Sequence, residues 1–254
     1  MAGKDLDVVV FGATGITGRQ VAAYLQERAA ETGATWAPAA RDPSKLQRVL
    51  AEVGVSAPEA VVADLADPPS LLAMATRARV VLNLVGPYTL HGRPVLEACV
   101  GGGAHYADLS GEIPFVRETV RALNDRAEAA GVKLAQICGF EALPPDLAVL
   151  LACERAEDRF GEGLADVDLR VTFTTPPGIP RPSDAISGGT LQSLAEAAGA
   201  DDASVLTDPA ALIDDPLRAE AVRRVSPISV TPRRGDGAAV VAPMAPAAFI
   251  NPAV

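Results

Sequence analysis

Aromatic side chains are scarce in this chain, at 4% of 254 residues, so a folded core has to be assembled mainly from Ala, Val and Leu. Cysteine is scarce too. Cys99, Cys138 and Cys153 are odd in number and far apart, which fits neither a disulfide framework nor a metal site of familiar spacing; three small buried residues are expected. Positive charge is in deficit, with a formal net charge of −10. No basic patch offsets it, which excludes a general binder of nucleic acid or anionic membrane and favours solubility. No apolar run is long enough to span a bilayer; the longest, Leu147 to Cys153, is far too short. Lys4, Asp5 and Asp7 stand where a signal peptide would need its apolar core. Cytoplasmic residence is the expectation, with peripheral membrane association left open. There are no internal repeats or low-complexity tail.

What is present begins at Asp7-Val8-Val9-Val10-Phe11-Gly12-Ala13-Thr14-Gly15-Ile16-Thr17-Gly18. Apolar residues with β preference run into three glycines spaced by three, and a helical pattern follows. This is how a buried parallel strand turning into a helix N-terminus reads. The free N–H groups of a first helical turn, with the positive end of the helix dipole, suit a pyrophosphate. Gly12 allows the tight turn, Gly15 lets the backbone approach the phosphates, and Gly18 lets the helix lie close to the strand. Ala13, Thr14 and Ile16 complete the cofactor-facing turn. Gly18, Val21, Ala22, Leu25 and Ala29 share one helical face. The alternative is an ordinary glycine-rich turn; the strand before and the helix after favour a dinucleotide.

Ala34 to Ala40 reads as a second strand and ends in Arg41-Asp42-Pro43-Ser44-Lys45. An acidic residue at this strand end suits the ribose 2′-hydroxyl of NAD, an arginine the 2′-phosphate of NADP. Arg41, with Lys45 one helical turn on, therefore points to NADP, while Asp42 offers the ribose alternative. Ala60 to Asp64 is a third strand. Asp64 either accepts from the adenine amino group or caps the helix starting near Pro68 and Pro69. Arg79 to Val85 is a fourth, nearly all apolar, and runs into Gly86-Pro87-Tyr88-Thr89-Leu90-His91-Gly92. Ligands of a doubly wound fold lie at the switch point outside the strand ends. Asn83, Gly86 and Pro87 would then border the nicotinamide half of the cofactor. Tyr88 and His91 become candidate proton donors or substrate-orienting groups, against a packing role for Tyr88 and a helix start for His91.

A helix is predicted from Pro94 to Gly101, then a short strand around His105 to Asp108. Ser110-Gly111-Glu112 opens a helix whose apolar face is Val116, Val120, Leu123, Ala127 and Ala130. Asp108, Ser110 and Glu112 either contact substrate or cap that helix. Lys133 to Cys138 is a sixth strand. Residues 1–145 thus read as an α/β, Rossmann-type doubly wound parallel sheet. Residues 146–254 read as a second, α+β domain. It opens with the helix Leu147 to Cys153 behind Asp146. Asp166 to Thr174 alternates as a strand. Ser187-Gly188-Gly189-Thr190, an anion site or a plain N-cap, starts a helix to about Ala198. A short helix covers Pro216 to Val225.

In this order the motifs resemble those of the saccharopine dehydrogenase-like oxidoreductases. The carrying residues are Val10 to Gly18, Ala40-Arg41 with Lys45-Leu46, Asn83 to Tyr88, His105 to Glu112, Cys138 to Asp146 and Ser187 to Thr190. Within that group the chain is most similar to the bacterial trans-acting enoyl reductases. The resemblance implies NADPH as hydride donor, a second domain covering the nicotinamide, and reduction of a C=C bond on a lipid-like acyl chain. The substrate would be a small-molecule or carrier-bound acyl group, and a homodimer is compatible with it. Members of the group are longer, so the second domain is expected to be incomplete at Ala248 to Val254. The resemblance supplies no well-defined catalytic side chain. Two other readings stay open: imine reduction, needing arginines such as Arg181, Arg233 and Arg234, and an NADP-binding, lipid-associated protein without turnover.

Overall fold

The computed structural model describes residues 3–56, 59–165, 167, 169, 205 and 208–226, with the backbone of 233–234 and 240–241. Six strands alternate with helices along the chain: β1 (Leu6–Phe11), α1 (Ile16–Thr32), β2 (Trp36–Ala40), α2 (Pro43–Ala51), β3 (Val61–Val62), α3 (Pro68–Arg77), β4 (Ala78–Asn83), α4 (Tyr88–Gly102), β5 (His105–Asp108), α5 (Ile113–Ala130) and β6 (Leu134–Ala135). They form one parallel sheet of order β3-β2-β1-β4-β5-β6, the doubly wound arrangement predicted. The order reverses between β1 and β4, where Val8 stands opposite both Trp36 and Val80. That switch point fixes where a ligand crevice opens.

Alternation along β1 explains why the strand is apolar throughout. Val9 and Phe11 point into a core with Leu71, Met74, Val95 and Leu96 of α3 and α4. Val8 and Val10 point into a second core with Ala22, Trp36, Leu46 and Leu50 beside α1 and α2. A strand covered on both faces has no polar face to display. The predicted α1 face holds as well: Gly18 and Ala22 are buried and Val21, Leu25 and Ala29 pack against that core. Pro38 is tolerated inside β2 because β3 pairs only with Ala39 and Ala40, so beside Pro38 the sheet has already ended.

Several elements depart from expectation. α4 begins six residues before Pro94 and carries that proline inside it. α6 (Leu143–Phe160) is far longer than Leu147 to Cys153 and leaves Leu143, Leu147, Leu150 and Leu151 exposed. β6 stops at Ala135, short of Cys138, because Ile137 turns the chain with φ 60°. On α5, Val116, Leu123 and Ala127 are buried as predicted, but Val120 and Ala130 are exposed, and Ile113, Phe115 and Thr119 are buried instead. Of the cysteines only Cys99 is buried, its thiol pushed up to about 12 by burial; Cys138 and Cys153 are half-buried, and all three are free.

From the remainder of the chain, Val205 and Ala211 are buried against the first core, and Arg121 of α5 pairs with Asp214 at 2.8 Å. α7 (Pro216–Val225) coincides with the predicted short helix and is capped by Asp215. The backbones of β7 (Arg233–Arg234) and β8 (Val240–Val241) pair antiparallel. The expected strand over 166–174 (all but Val167 and Leu169), the turn 187–190 with its helix, Arg181 and the end 248–254 lie outside the described residues. Among the described residues no helix is long and apolar enough to cross a membrane, and no cluster of His, Cys, Asp and Glu could hold a metal ion.

Candidate cofactor site

A crevice of about 530 Å³ opens at the switch point, within the size range of small-molecule sites. Its floor is Phe11, Gly12 and Thr14. One end is walled by Ala40, Arg41, Asp42, Lys45 and Asp64, the other by Val85, Gly86 and His91.

The floor is a turn that glycine makes possible. Gly12 has φ +93°, and a Cβ there would stand 2.7 Å from the Val85 side chain. Gly18 sits in the first turn of α1 with its Cα against Gly12 and Ala13; a Cβ would lie 2.3 Å from the Gly12 carbonyl oxygen. Gly15 is the N-cap, with extended backbone, no side-chain cap and no acidic residue in the first helical turn. The helical ladder opens with Arg19 N–H donating to Gly15 O at 3.0 Å, so the N–H groups of Ile16, Thr17 and Gly18 precede it. An uncapped helix start with small residues around it is a cradle for an anion. Thr14 lines the crevice, Ile16 is exposed and outside the lining, and Ala13 is fully buried in the second core.

At the first end, Arg41 and Lys45 are exposed, and among the described residues neither forms an ion pair. Asp42 is the N-cap of α2, its carboxylate accepting from Lys45 N–H at 2.9 Å. That engagement weakens the ribose alternative for it. Asp64 does not cap α3, because Asp67 occupies the N-cap position. Asp64 accepts from Ala66 N–H at 3.0 Å within a tight turn and remains on the crevice wall.

At the other end, the Gly86–Pro87 peptide is cis. Pro87 is the N-cap of α4, and its carbonyl accepts from His91 N–H at 3.0 Å. His91 is half-buried and lines the crevice; it lies in the first turn of α4, at the helix start. Tyr88 lies beneath the wall. Its hydroxyl donates to Asn83 O at 3.0 Å and accepts from Leu109 N–H at 3.2 Å, and its ring packs against Phe115. Burial, with Asp108 nearby, pushes its ionisation well above the usual phenol range. A phenol so engaged and so placed is a poor proton donor to the crevice, and the packing alternative describes it.

Asn83 is likewise buried under the wall. It accepts from Val85 N–H at 3.1 Å and donates to the Tyr106 hydroxyl at 3.1 Å, which shapes the exit of β4. Tyr106 donates to Asp108 at 2.8 Å, and the other Asp108 oxygen accepts from Ser110 N–H at 2.9 Å and Ile137 N–H at 3.0 Å. Burial raises the Asp108 carboxyl above the ordinary range, and these hydrogen bonds oppose the rise without cancelling it. Of the Asp108, Ser110 and Glu112 group, none lines the crevice. Glu112 caps a helix, but α4 and not α5: its carboxylate accepts from Tyr88 N–H at 2.9 Å and Thr89 N–H at 2.7 Å. Sequence reasoning missed that long-range cap and the crevice residues Val85, Leu65 and Ala66, of which only Val85 carried a signal, at the end of an apolar strand.

Residues 8–134 match the family described as saccharopine dehydrogenase NADP binding domain. The trans-acting enoyl reductase of Mycobacterium leprae is 38% identical over 197 residues, covering 76% of this chain and 45% of that protein. That of Mycobacterium ulcerans is 35% identical over 231 residues, covering 89% and 52%. Among solved structures, the saccharopine dehydrogenase (L-Glu forming) of Saccharomyces cerevisiae superposes with a TM-score of 0.45 at 21% identity, over 61% of this chain and 31% of that one. The chain spans about half the length of the curated relatives it matches. A glycine-lined helix start, cationic side chains at the end of β2 and a family match running from within β1 into β6 agree: this chain belongs to the saccharopine dehydrogenase NADP-binding domain family.

Proposed function

We propose that this chain is an NADPH-dependent reductase of the trans-acting enoyl reductase type, which saturates an activated C=C bond of an acyl thioester. The observation that carries the reading is the layout of the crevice: an uncapped helix N-terminus lies between a cationic end and an end bearing His91. The names of the relatives at 35–38% identity supply the acceptor class.

The residues present fit the cofactor. The N–H groups of Ile16, Thr17 and Gly18 would hold the pyrophosphate, with Gly15 open to its approach. Arg41 and Lys45 would bind the 2′-phosphate, the planar guanidinium by paired hydrogen bonds and the ammonium as a point charge. Asp64 would meet the adenine amino group. Gly86 would border the nicotinamide, with Pro87 buried and outside the crevice lining. When bound, NADPH supplies the hydride that adds to the carbon β to the thioester carbonyl. His91, which lines this end of the crevice, would deliver the proton to the α-carbon and so collapse the developing enolate to the saturated thioester.

The test is direct. The chain is incubated with NADPH and α,β-unsaturated acyl thioesters of increasing length, with oxidation of the nicotinamide and the mass of the product followed together. A product heavier by two hydrogens supports the reading. Tight NADPH binding with no turnover on any enoyl thioester would refute the catalytic part and leave a binding protein.

A further inference from the structure

Three helix N-termini reach the crevice region; α2 is capped by its own Asp42, and α1 and α4 are treated in opposite ways. α1 starts uncapped, with no acidic residue in its first turn. α4 starts with its first N–H groups taken by a distant carboxylate. One Glu112 oxygen accepts from Tyr88 N–H at 2.9 Å; the other accepts from Thr89 N–H at 2.7 Å and from the Thr89 hydroxyl. Glu112 is only 4% exposed. A buried carboxylate is costly unless it is met by donors, and a helix start offers both donors and favourable dipole charge. The Tyr88 hydroxyl, bridging Asn83 O and Leu109 N–H, adds a second tether to the same β5–α5 connection. The stretch from Asn83 to Thr89 is therefore suspended from residues 109–112. Within that stretch lie Gly86 and Pro87, and His91 follows one turn later.

We propose that Glu112 is a positioning residue for the nicotinamide end of the bound cofactor. It does not line the crevice itself. By seating the N-terminus of α4, it fixes the backbone at Gly86 and Pro87 and the place of the His91 imidazole. By filling that N-terminus with its carboxylate, as Asp42 fills that of α2, it also leaves α1 as the uncapped helix start of the three, the one that receives the pyrophosphate. The proposal rests on the NADP reading of the crevice given above.

Adenosine 2′,5′-bisphosphate carries the adenine half and the 2′-phosphate of the cofactor without the nicotinamide half, so it separates the two ends. Dissociation constants for it and for NADPH are measured on the full chain, for the wild type, Glu112→Gln and Tyr88→Phe, with thermal unfolding as a check on folding. Glutamine keeps the volume but removes the charge and turns an amide N–H₂ toward a donor, losing at least one α4 cap bond. The expected result for Glu112→Gln is NADPH weakened about tenfold, with adenosine bisphosphate unchanged to within about twofold. Tyr88→Phe should give a smaller loss with the same selectivity, and it decides the matter if Glu112→Gln does not fold. Equal weakening of both ligands, or no change in either, overturns the proposal. A wild-type chain that binds neither ligand refutes the cofactor reading itself, and the proposal falls with it.

Discussion

Replacing Gly18 by Ala puts a methyl group where the structure has backbone. The new Cβ would stand 2.3 Å from Gly12 O and 2.7 Å from Ala13 Cα, about 1 Å or more inside contact distance. Neither neighbour is a side chain that can rotate away, so α1 must move off the β1 turn. Overpacking of this kind costs about 3 kcal/mol at the upper end of its usual range. Alanine returns about 1 kcal/mol through helix propensity. A net loss of about 2 kcal/mol is expected by urea unfolding, together with at least about tenfold weaker NADPH binding as the N–H groups of the first turn shift. Gly15→Ala is the matched control. Its nearest neighbour would be 3.4 Å away, and φ −75° suits alanine. The lost N-cap preference and the gain from a stiffer unfolded chain are each under about 1 kcal/mol and oppose one another. Stability should hold while NADPH affinity falls at least about tenfold, because the methyl occupies the path of the phosphates. A Gly18→Ala chain as stable as the wild type would refute the packing argument. A Gly15→Ala chain that binds NADPH normally would refute the placement of the phosphates.

His91→Ala should lower turnover on an enoyl thioester by about 10²-fold or more while leaving the NADPH dissociation constant within about threefold; unchanged turnover would remove His91 as proton donor. Asp108 gives a pH signature. Its folded pKa is raised above the unfolded value, chiefly by burial, with Glu112 adding to the rise, so its contribution is fully present below the ordinary carboxyl range and lost as pH rises through the folded value. As pH falls toward the ordinary carboxyl range, the wild type should therefore gain stability relative to Asp108→Asn; parallel unfolding curves would contradict this. Asp7 and Asp208 act in the opposite sense, because the Thr35 hydrogen bonds and the Arg223 guanidinium lower them. Their contribution is present above the ordinary carboxyl range and lost as pH falls through the depressed values, a lower window than that of Asp108.

The parts of the site that were legible in the sequence are those made by neighbours in the chain. Strand, glycines and helix from Val8 to Ala29 are contiguous, so the tight turn at Gly12 and the close approach at Gly18 are read directly. Arg41 and Lys45 follow from their place at a strand end. The start of α4 was misread because Pro94 carries the local mark of a first helical position, while the actual cap arrives from Glu112, 24 residues beyond Tyr88. The sequence places Tyr88 and Asn83 at the ligand side because they border the β4 exit. Their side chains turn inward to meet Tyr106 and the Leu109 N–H, partners that only the folded sheet brings near. The early end of β6 has the same origin: Ile137 adopts φ 60°, which a β-branched residue avoids, while its N–H is held by Asp108 from the neighbouring strand.

The most direct test of the account is a paired titration of the full chain with NADPH and NADH, repeated on Arg41→Ala. Trp36, buried on the strand that ends beside Arg41, serves as the fluorescence reporter. The account predicts that NADPH binds at least about tenfold more tightly than NADH and that Arg41→Ala removes most of the difference. Equal affinity for the two nucleotides in the wild type, or a preference that survives in Arg41→Ala, would contradict it.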